Sequence, residues 1–127
     1  MYDFEKFEDI PAWQEAREMV NLVYQYTAEG AWALDDVLRH EVRESAIGVL
    51  TKIANGYGKD DAIEFRKMVS SSRGLIFVVK TLLYVAVDQE FLDQNGFDRI
   101  SAALESTLRL IDLLASQLKR GSSRRRE

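Results

Sequence analysis

Apolar residues recur at alternating steps of three and four along most of the chain, which is the spacing of one face of an α-helix. Four such stretches predict four helices, which begin near residues 11, 35, 61 and 97 and end near Thr27, the glycines at 56 and 58, Val87 and Lys119. No alternating strand pattern and no internal repeat interrupts them. The sequence therefore predicts an all-α fold, an up-down-up-down antiparallel four-helix bundle.

The same spacing predicts which side chains form the core. The expected seams are Trp13, Ala16, Val20, Val23 and Thr27 in the first helix, Leu38, Val42, Ser45, Val49 and Ile53 in the second, Phe65, Met68, Val69, Ser72, Leu75, Ile76, Val79, Leu82, Leu83 and Ala86 in the third, and Phe97, Ile100, Leu104, Thr107, Ile111, Leu114 and Leu118 in the fourth. Trp32 lies between the first two helices. Two roles are possible for it: to pack over one end of the bundle or to contact a partner.

Acidic residues and glycines mark the predicted helix ends. Asp9 stands where the N-cap of the first helix belongs, and Asp61 opens a capping box for the third. The carboxylates of Asp35 and Asp36 suit the N-terminus of the second helix. Gly56 and Gly58 supply the permissive backbone that the C-cap of the second helix requires. Residues 93–96 read as the turn before the fourth helix.

The third helix is apolar around most of its circumference, since nearly every residue from 75 to 87 is apolar. That run is too short to span a bilayer and Lys80 interrupts it, so we expect no membrane partner. A four-helix bundle covers only one stripe of each helix. We therefore expect a partner subunit to cover Phe77, Val78, Tyr84 and Val85.

Composition and charge narrow the function classes. With 127 residues, one proline and no cysteine, the chain predicts one bundle domain at 1–119 and a basic flexible tail at 120–127. The charged first residues resemble no signal peptide, so a cytoplasmic location is expected. Five of the 17 basic residues and one of the 21 acidic residues lie in 119–127, which leaves 12 basic and 20 acidic residues in the rest. Arg124, Arg125 and Arg126 are therefore candidate nucleic-acid contacts, and a solvated terminus is the alternative.

Residues that carry common chemistries do not form the required patterns. His40 is the single histidine and no glutamate stands three residues before it, as a bundle metal site would need. Ser70, Ser71 and Ser72 have no histidine at a plausible triad position, and no phosphate-binding loop is present. We predict that the chain is not an enzyme and uses no metal, cofactor or small-molecule substrate.

Three segments resemble the four-helix-bundle proteins encoded within intervening sequences of bacterial large-subunit ribosomal RNA. Residues 7–16 are similar to the family pattern F-x-D-L-x-V-W-x-x-A, residues 42–59 to L-R-R-A-x-x-S-I-x-x-N-I-A-E-G-x-G-R, and residues 72–80 to A-R-G-S-L followed by E-L-E. The likeness spans about residues 7–119. Where the patterns have glutamates this chain has Asn55, Val78 and Lys80, so Arg43 and Arg73 are expected to lack their usual partners.

The resemblance implies ring-shaped pentamers, and a related group serves as nucleic-acid-binding accessory proteins to reverse transcriptases of diversity-generating retroelements. The corresponding candidates for contacts with RNA or DNA are Arg39, Arg43, Lys59, Arg66 and Arg73. Surface ion pairs with Asp35, Glu41, Asp60 or Glu64 are the alternative role. We therefore expect a non-enzymatic homo-oligomeric scaffold associated with nucleic acid, or alternatively a pure protein-interaction module.

Overall fold

The computed structural model describes residues 4–28 and 30–126, with side chains as far as Arg120. It contains α1 (Pro11–Thr27), α2 (Asp36–Gly58), α3 (Ala62–Asp88) and α4 (Gln94–Arg126), with short 3-10 helices at Phe7–Asp9 and Gly30–Leu34. Each helix packs against the next one in the chain, and α1 packs against α4, so the four helices close into an antiparallel bundle. The predicted fold is confirmed. The last helix runs beyond its predicted end at Lys119 to Arg126, since the polar residues that follow include no proline to stop it.

Three aspartates cap helix N-termini by accepting hydrogen bonds from otherwise unpaired backbone N–H groups. Asp35 accepts from the N–H of Leu38 at 3.0 Å, and Asp61 accepts from Ile63 and Glu64 at 2.9 and 3.0 Å. Asp93 accepts from the N–H of Gly96 at 2.8 Å, so residues 94–96 form the first turn of α4. The predicted cap at Asp61 and the predicted helix start at Asp35 are confirmed, whereas the predicted turn at 93–96 is a helix start. The predicted cap at Asp9 is wrong, because Ile10 precedes α1 and no side chain caps that helix.

The chain reverses between α2 and α3 at Asp60 and not at the glycines. Gly56 and Gly58 lie within α2, and Asp60 adopts the left-handed backbone conformation, with φ of 53°. The N–H of Lys59 donates to the carbonyl of Gly56 and the N–H of Asp60 to that of Tyr57, which closes the helix. The predicted C-cap role of the two glycines is therefore wrong, because aspartate tolerates the left-handed conformation that the turn needs.

Gly56 instead allows α2 and α3 to pack closely. A Cβ at this position would lie 2.8 Å from Cδ1 of Phe65 and 2.9 Å from Cβ of Met68, both on α3. Two turns earlier on α2, the hydroxyl of buried Ser72 donates to the carbonyl of Val49 at 2.8 Å and ties the helices together. The missing side chain thus sets the separation of this helix pair.

The buried side chains largely follow the predicted seams. All predicted residues of α4 from Ile100 to Leu118 are buried, as are Leu38, Val42, Val49 and Ile53 of α2 and most of the predicted residues of α3. Two predictions shift by one position, since Ala46 is buried in place of Ser45 and Met19 in place of Val20. Other predicted core residues are only partly buried: Trp13, Met68, Leu75, Leu82 and Phe97. Trp13 keeps one edge exposed while its ring meets Phe7 at 5.2 Å. The buried hydroxyls of Thr27 and Thr107 donate to backbone carbonyls of their own helices.

Trp32 covers one end of the bundle, as expected from its position between the first two helices. Only 1% of its surface is exposed, and its ring lies 5.7 Å from that of Phe91, beyond the end of α3. The alternative role in contacting a partner is not compatible with this burial.

Length and composition alone would allow α3 to cross a membrane, because a window within it has a mean hydropathy of 1.3. It is the one helix among the described residues that meets those criteria. Its Phe65, Val69, Ile76 and Leu83 row is nevertheless buried within the bundle, and core helices of globular proteins meet the same criteria.

The close contact at Gly56 generates a stability prediction. Gly56→Ala should lower the free energy of unfolding by about 1–3 kcal/mol, because the new methyl group collides with Phe65 and Met68. Gly58→Ala is the matched control, since nothing lies within 4 Å of its Cβ position and alanine favours the helix by up to about 1 kcal/mol. Urea unfolding at a fixed protein concentration measures both. Equal stability of the two variants would contradict the close packing of α2 and α3.

Candidate interaction surfaces

The outward face of α3 carries an apolar stripe, which we define as Phe77, Val78, Tyr84 and Val85. These side chains are exposed by 49, 42, 55 and 40%, respectively. They lie at positions i, i+1, i+7 and i+8, so one side of the helix presents all four. The opposite side, which includes Ile76, Val79 and Leu83, is buried in the bundle. The four residues predicted to face a partner are therefore together and uncovered in the single chain.

Parts of the stripe have polar and aromatic neighbours. The ring of Tyr84 lies 4.8 Å from that of Phe97 on α4, and the guanidinium of Arg73 lies 5.4 Å from the ring centre of Phe77. These contacts hold the two aromatic rings beside the α4 edge of α3. Val78 and Val85 lie on the other side of the stripe and are slightly less exposed than the two aromatic residues.

A second exposed apolar group lies at the corner where α2 begins. Leu34 ends the short helix Gly30–Leu34 and is 84% exposed, and Val37 in the first turn of α2 is 74% exposed. We call this pair the α2 corner. Sequence reasoning missed it because the two residues lie outside the periodic seam. An apolar residue on either side of the Asp35–Asp36 cap was the available signal.

The bundle separates the predicted basic residues into two groups. Arg39 and Arg43 lie in the first two turns of α2, whereas Lys59 follows its end and Arg66 lies near the start of α3. Arg39 and Lys59 are thus about 30 Å apart along the helix axis. The side chains of Arg124, Arg125 and Arg126 lie outside the described residues, so their predicted role stays a prediction.

The group at the start of α2 is occupied by internal contacts. Arg39 forms a 2.7 Å ion pair with Asp36, and His40 meets Glu44 at 3.0 Å on the exposed face. The Nε–H of Arg43 donates to the hydroxyl of Thr27 at 2.8 Å, and its guanidinium lies 4.3 Å from the ring centre of Tyr24. Arg43 thus has partners in Thr27 and Tyr24, although this chain lacks the glutamates of the family pattern.

A groove of about 600 Å³ between α3 and α4 brings together two of the predicted residues, Arg66 and Arg73, whereas Lys59 does not line it. Its lining is mostly basic, small and aliphatic: Ile63, Arg66, Lys67, Val69, Ser70, Arg73, Ile111, Asp112, Ala115, Ser116 and Lys119. Four cationic side chains face a single carboxylate, that of Asp112. We call this the α3–α4 groove. Its charge is opposite to that of the acidic body that surrounds it.

The cations of the α3–α4 groove differ in how they are paired. Arg73 forms a 2.8 Å ion pair with Asp112, and Lys67 lies 3.3 Å from Glu64. Arg66 and Lys119 have no ion pair with any residue that the structure describes. Arg73 therefore forms a surface ion pair, but with Asp112 and not with one of the expected acids. Arg66 forms no such pair within the described residues.

Within the described ranges, no three histidine or acidic side chains come close enough together to hold a metal ion. Of the three serines, Ser72 is buried between helices while Ser70 lines the α3–α4 groove. The surfaces of the bundle, and not an enclosed cavity, therefore carry its distinctive groups.

The molecule is an all-α four-helix bundle with an uncovered apolar stripe and a local basic groove. Residues 8–112 match the family described as 23S rRNA-intervening sequence protein. The chain belongs to this family, which confirms the resemblance drawn from its motifs. No curated protein matches the chain in sequence.

The contacts of Arg43 predict a structural role for this side chain. Arg43→Gln should lower the free energy of unfolding by about 1–2 kcal/mol, because it removes the hydrogen bond to Thr27 and the stacking on Tyr24. Arg39→Gln removes the same charge from an ion pair whose acid is 78% exposed, so less than about 1 kcal/mol is expected. Urea denaturation followed by circular dichroism compares them. A larger loss for Arg39→Gln would contradict the assignment.

Proposed function

We propose that the protein is a non-enzymatic, self-assembling four-helix bundle that acts as an RNA-associated scaffold. The observation that carries the proposal is the exposed apolar stripe on α3, a contiguous row of four large side chains that the single chain leaves in water. Uncovered apolar rows of this kind are typical of surfaces that bind another protein. A second copy of the chain is the proposed partner.

The amount and arrangement of exposed apolar surface support assembly into a ring. A stable interface buries about 800 Å² on each partner, which is more than four side chains supply. The α2 corner, with Leu34 and Val37, offers a second apolar surface of different shape. A ring needs two unlike surfaces on each copy. The α3 stripe and the α2 corner are unlike, which supports a closed ring, with the pentamer of the family as the proposed form.

The family supports RNA as the nucleic acid, because its description names an intervening sequence of 23S rRNA. The acidic body, with 12 basic and 20 acidic residues in positions 1–118, repels a phosphate backbone. Contact with RNA is therefore proposed for local basic surfaces. The family is not known as enzymatic, and a scaffold role in the cytoplasm requires no catalytic group.

A pure protein-interaction module is the second candidate function. The observation that favours it is the same acidic body, since the α3 stripe binds a protein partner whether or not RNA is present. Retention of labelled RNA by the assembled protein separates the two candidates. The scaffold requires retention that weakens as salt rises, because binding to phosphates releases counterions. If the assembled protein retains no RNA at low salt, the scaffold function is contradicted and the protein-interaction module is favoured.

The apolar stripe predicts the effect of a charge on α3. Val85→Glu should dissociate the assembly, because a buried unpaired carboxylate costs several kcal/mol. Leu113→Glu on α4 is the control, since Leu113 is similarly exposed, at 49% against 40% for Val85, but lies outside the stripe. Light scattering coupled to gel filtration measures the mass of each variant. Dissociation by Leu113→Glu with Val85→Glu still assembled would move the interface to α4 and contradict the proposal.

A further inference from the structure

We infer that the α3–α4 groove is the site where the phosphate backbone of single-stranded RNA binds. This inference rests on the proposed association with RNA and names the surface responsible for it. Four cations and one acid line the groove, although the body of the chain is acidic overall. The groove is therefore a local region of positive potential, where a polyanion avoids the repulsion of the remaining surface.

Two cations of the groove are available for a ligand. Arg66 and Lys119, one from each wall, have no acidic partner within the described part of the chain. Arg73 is held in the groove by Asp112 through its Nε–H, and its guanidinium carries four further N–H donors. The hydroxyls of Ser70 and Ser116 lie in the same groove. Arginine, lysine and serine are the side chains that most often contact phosphate oxygens.

The shape of the groove favours a single strand. The groove of about 600 Å³ is a depression between the outward surfaces of two packed helices, so a single strand fits along it more readily than a duplex. Arg66 and Arg73 are separated by seven residues, or about 10 Å along the helix, which exceeds the spacing of neighbouring phosphates. An open groove of this length also differs from a small-molecule pocket, which encloses most of its ligand.

The lining also predicts the specificity. The groove has arginine, lysine, serine and aliphatic side chains but no aromatic ring on which a base would stack. Contacts with phosphates carry no sequence information. Binding in this groove should therefore depend strongly on salt and weakly on base sequence.

The test is the affinity of the full chain for fluorescein-labelled single-stranded RNA, measured by anisotropy across a salt series. Arg66→Gln combined with Lys119→Gln should weaken binding roughly 10- to 25-fold near 0.1 M salt and reduce the salt slope by about 1.4, as two lost phosphate contacts imply. Mixed-sequence RNA and oligo-uridine should give similar affinities. Inorganic phosphate should compete only at far higher concentration than unlabelled RNA.

The matched control is Arg99→Gln combined with Arg109→Gln, which removes the same charge from α4 outside the groove, where the two side chains donate to the hydroxyls of Tyr26 and Ser106. This control should bind RNA almost as well as the unchanged protein. Equal losses in both double variants would show that net charge, and not the groove, determines affinity, and would overturn the inference.

Two further outcomes separate the groove from the proposed function. If the unchanged protein binds RNA and the Arg66→Gln/Lys119→Gln variant binds equally well, the groove is not the binding site, whereas the proposed association with RNA is retained. Loss of binding only when residues 121–127 are removed would assign the RNA to the basic tail instead. If the unchanged protein binds no RNA at low salt, both the groove and the RNA-associated function fall. Circular dichroism and light scattering confirm that each variant keeps its fold and assembly.

Discussion

The close approach of α2 to α3 is the constraint on which the surfaces of this protein depend. Gly56 brings the backbone of α2 against Phe65 and Met68, and the hydroxyl of Ser72 fixes the same pair of helices through the carbonyl of Val49. Because these contacts define which side of α3 faces the core, they also define which side faces outward. The apolar stripe and the α3–α4 groove both follow from this rotation of α3 in the bundle.

Periodicity predicted the fold and most of the core because burial in a helical bundle follows the helical repeat. The seam of α4 from Ile100 to Leu118 shows this well. The helix ends were harder, since glycine is common both at turns and at close helix contacts. Gly56 belongs to the second class, and the left-handed residue that turns the chain is Asp60. Local sequence does not distinguish these roles, because the deciding atoms belong to the next helix.

The candidate surfaces were predictable only in part. The α3 stripe follows from the apolar character of one helix and needs no knowledge of its neighbours. The roles of the cations depend on partners distant in sequence: Arg43 meets Thr27, and Arg73 meets Asp112 on α4. These pairings decide which cations are occupied and which, as with Arg66, are available. The α2 corner escaped prediction because Leu34 and Val37 flank a cap and lie on no periodic face.

The structure shows the surroundings of two residues that replace glutamates of the family pattern, Val78 and Lys80. Val78 stands where the pattern has a glutamate, and it lies within the apolar stripe. Lys80, at the other glutamate position, lies 3.6 Å from Glu105 on α4. The chain thus has an exposed apolar side chain at one of these positions and a cross-helix ion pair at the other. The first of these departures supports the proposed self-association through α3.

The most direct test of that account is the accessibility of the stripe in solution. The sequence has no cysteine, so single cysteines introduced as Val78→Cys and Leu113→Cys report on one position each. The two native side chains are similarly exposed in the isolated chain, at 42 and 49%. If α3 mediates assembly, a thiol reagent should modify Val78→Cys much more slowly than Leu113→Cys in the native protein and at similar rates after unfolding. Equal rates in the native protein would contradict the account.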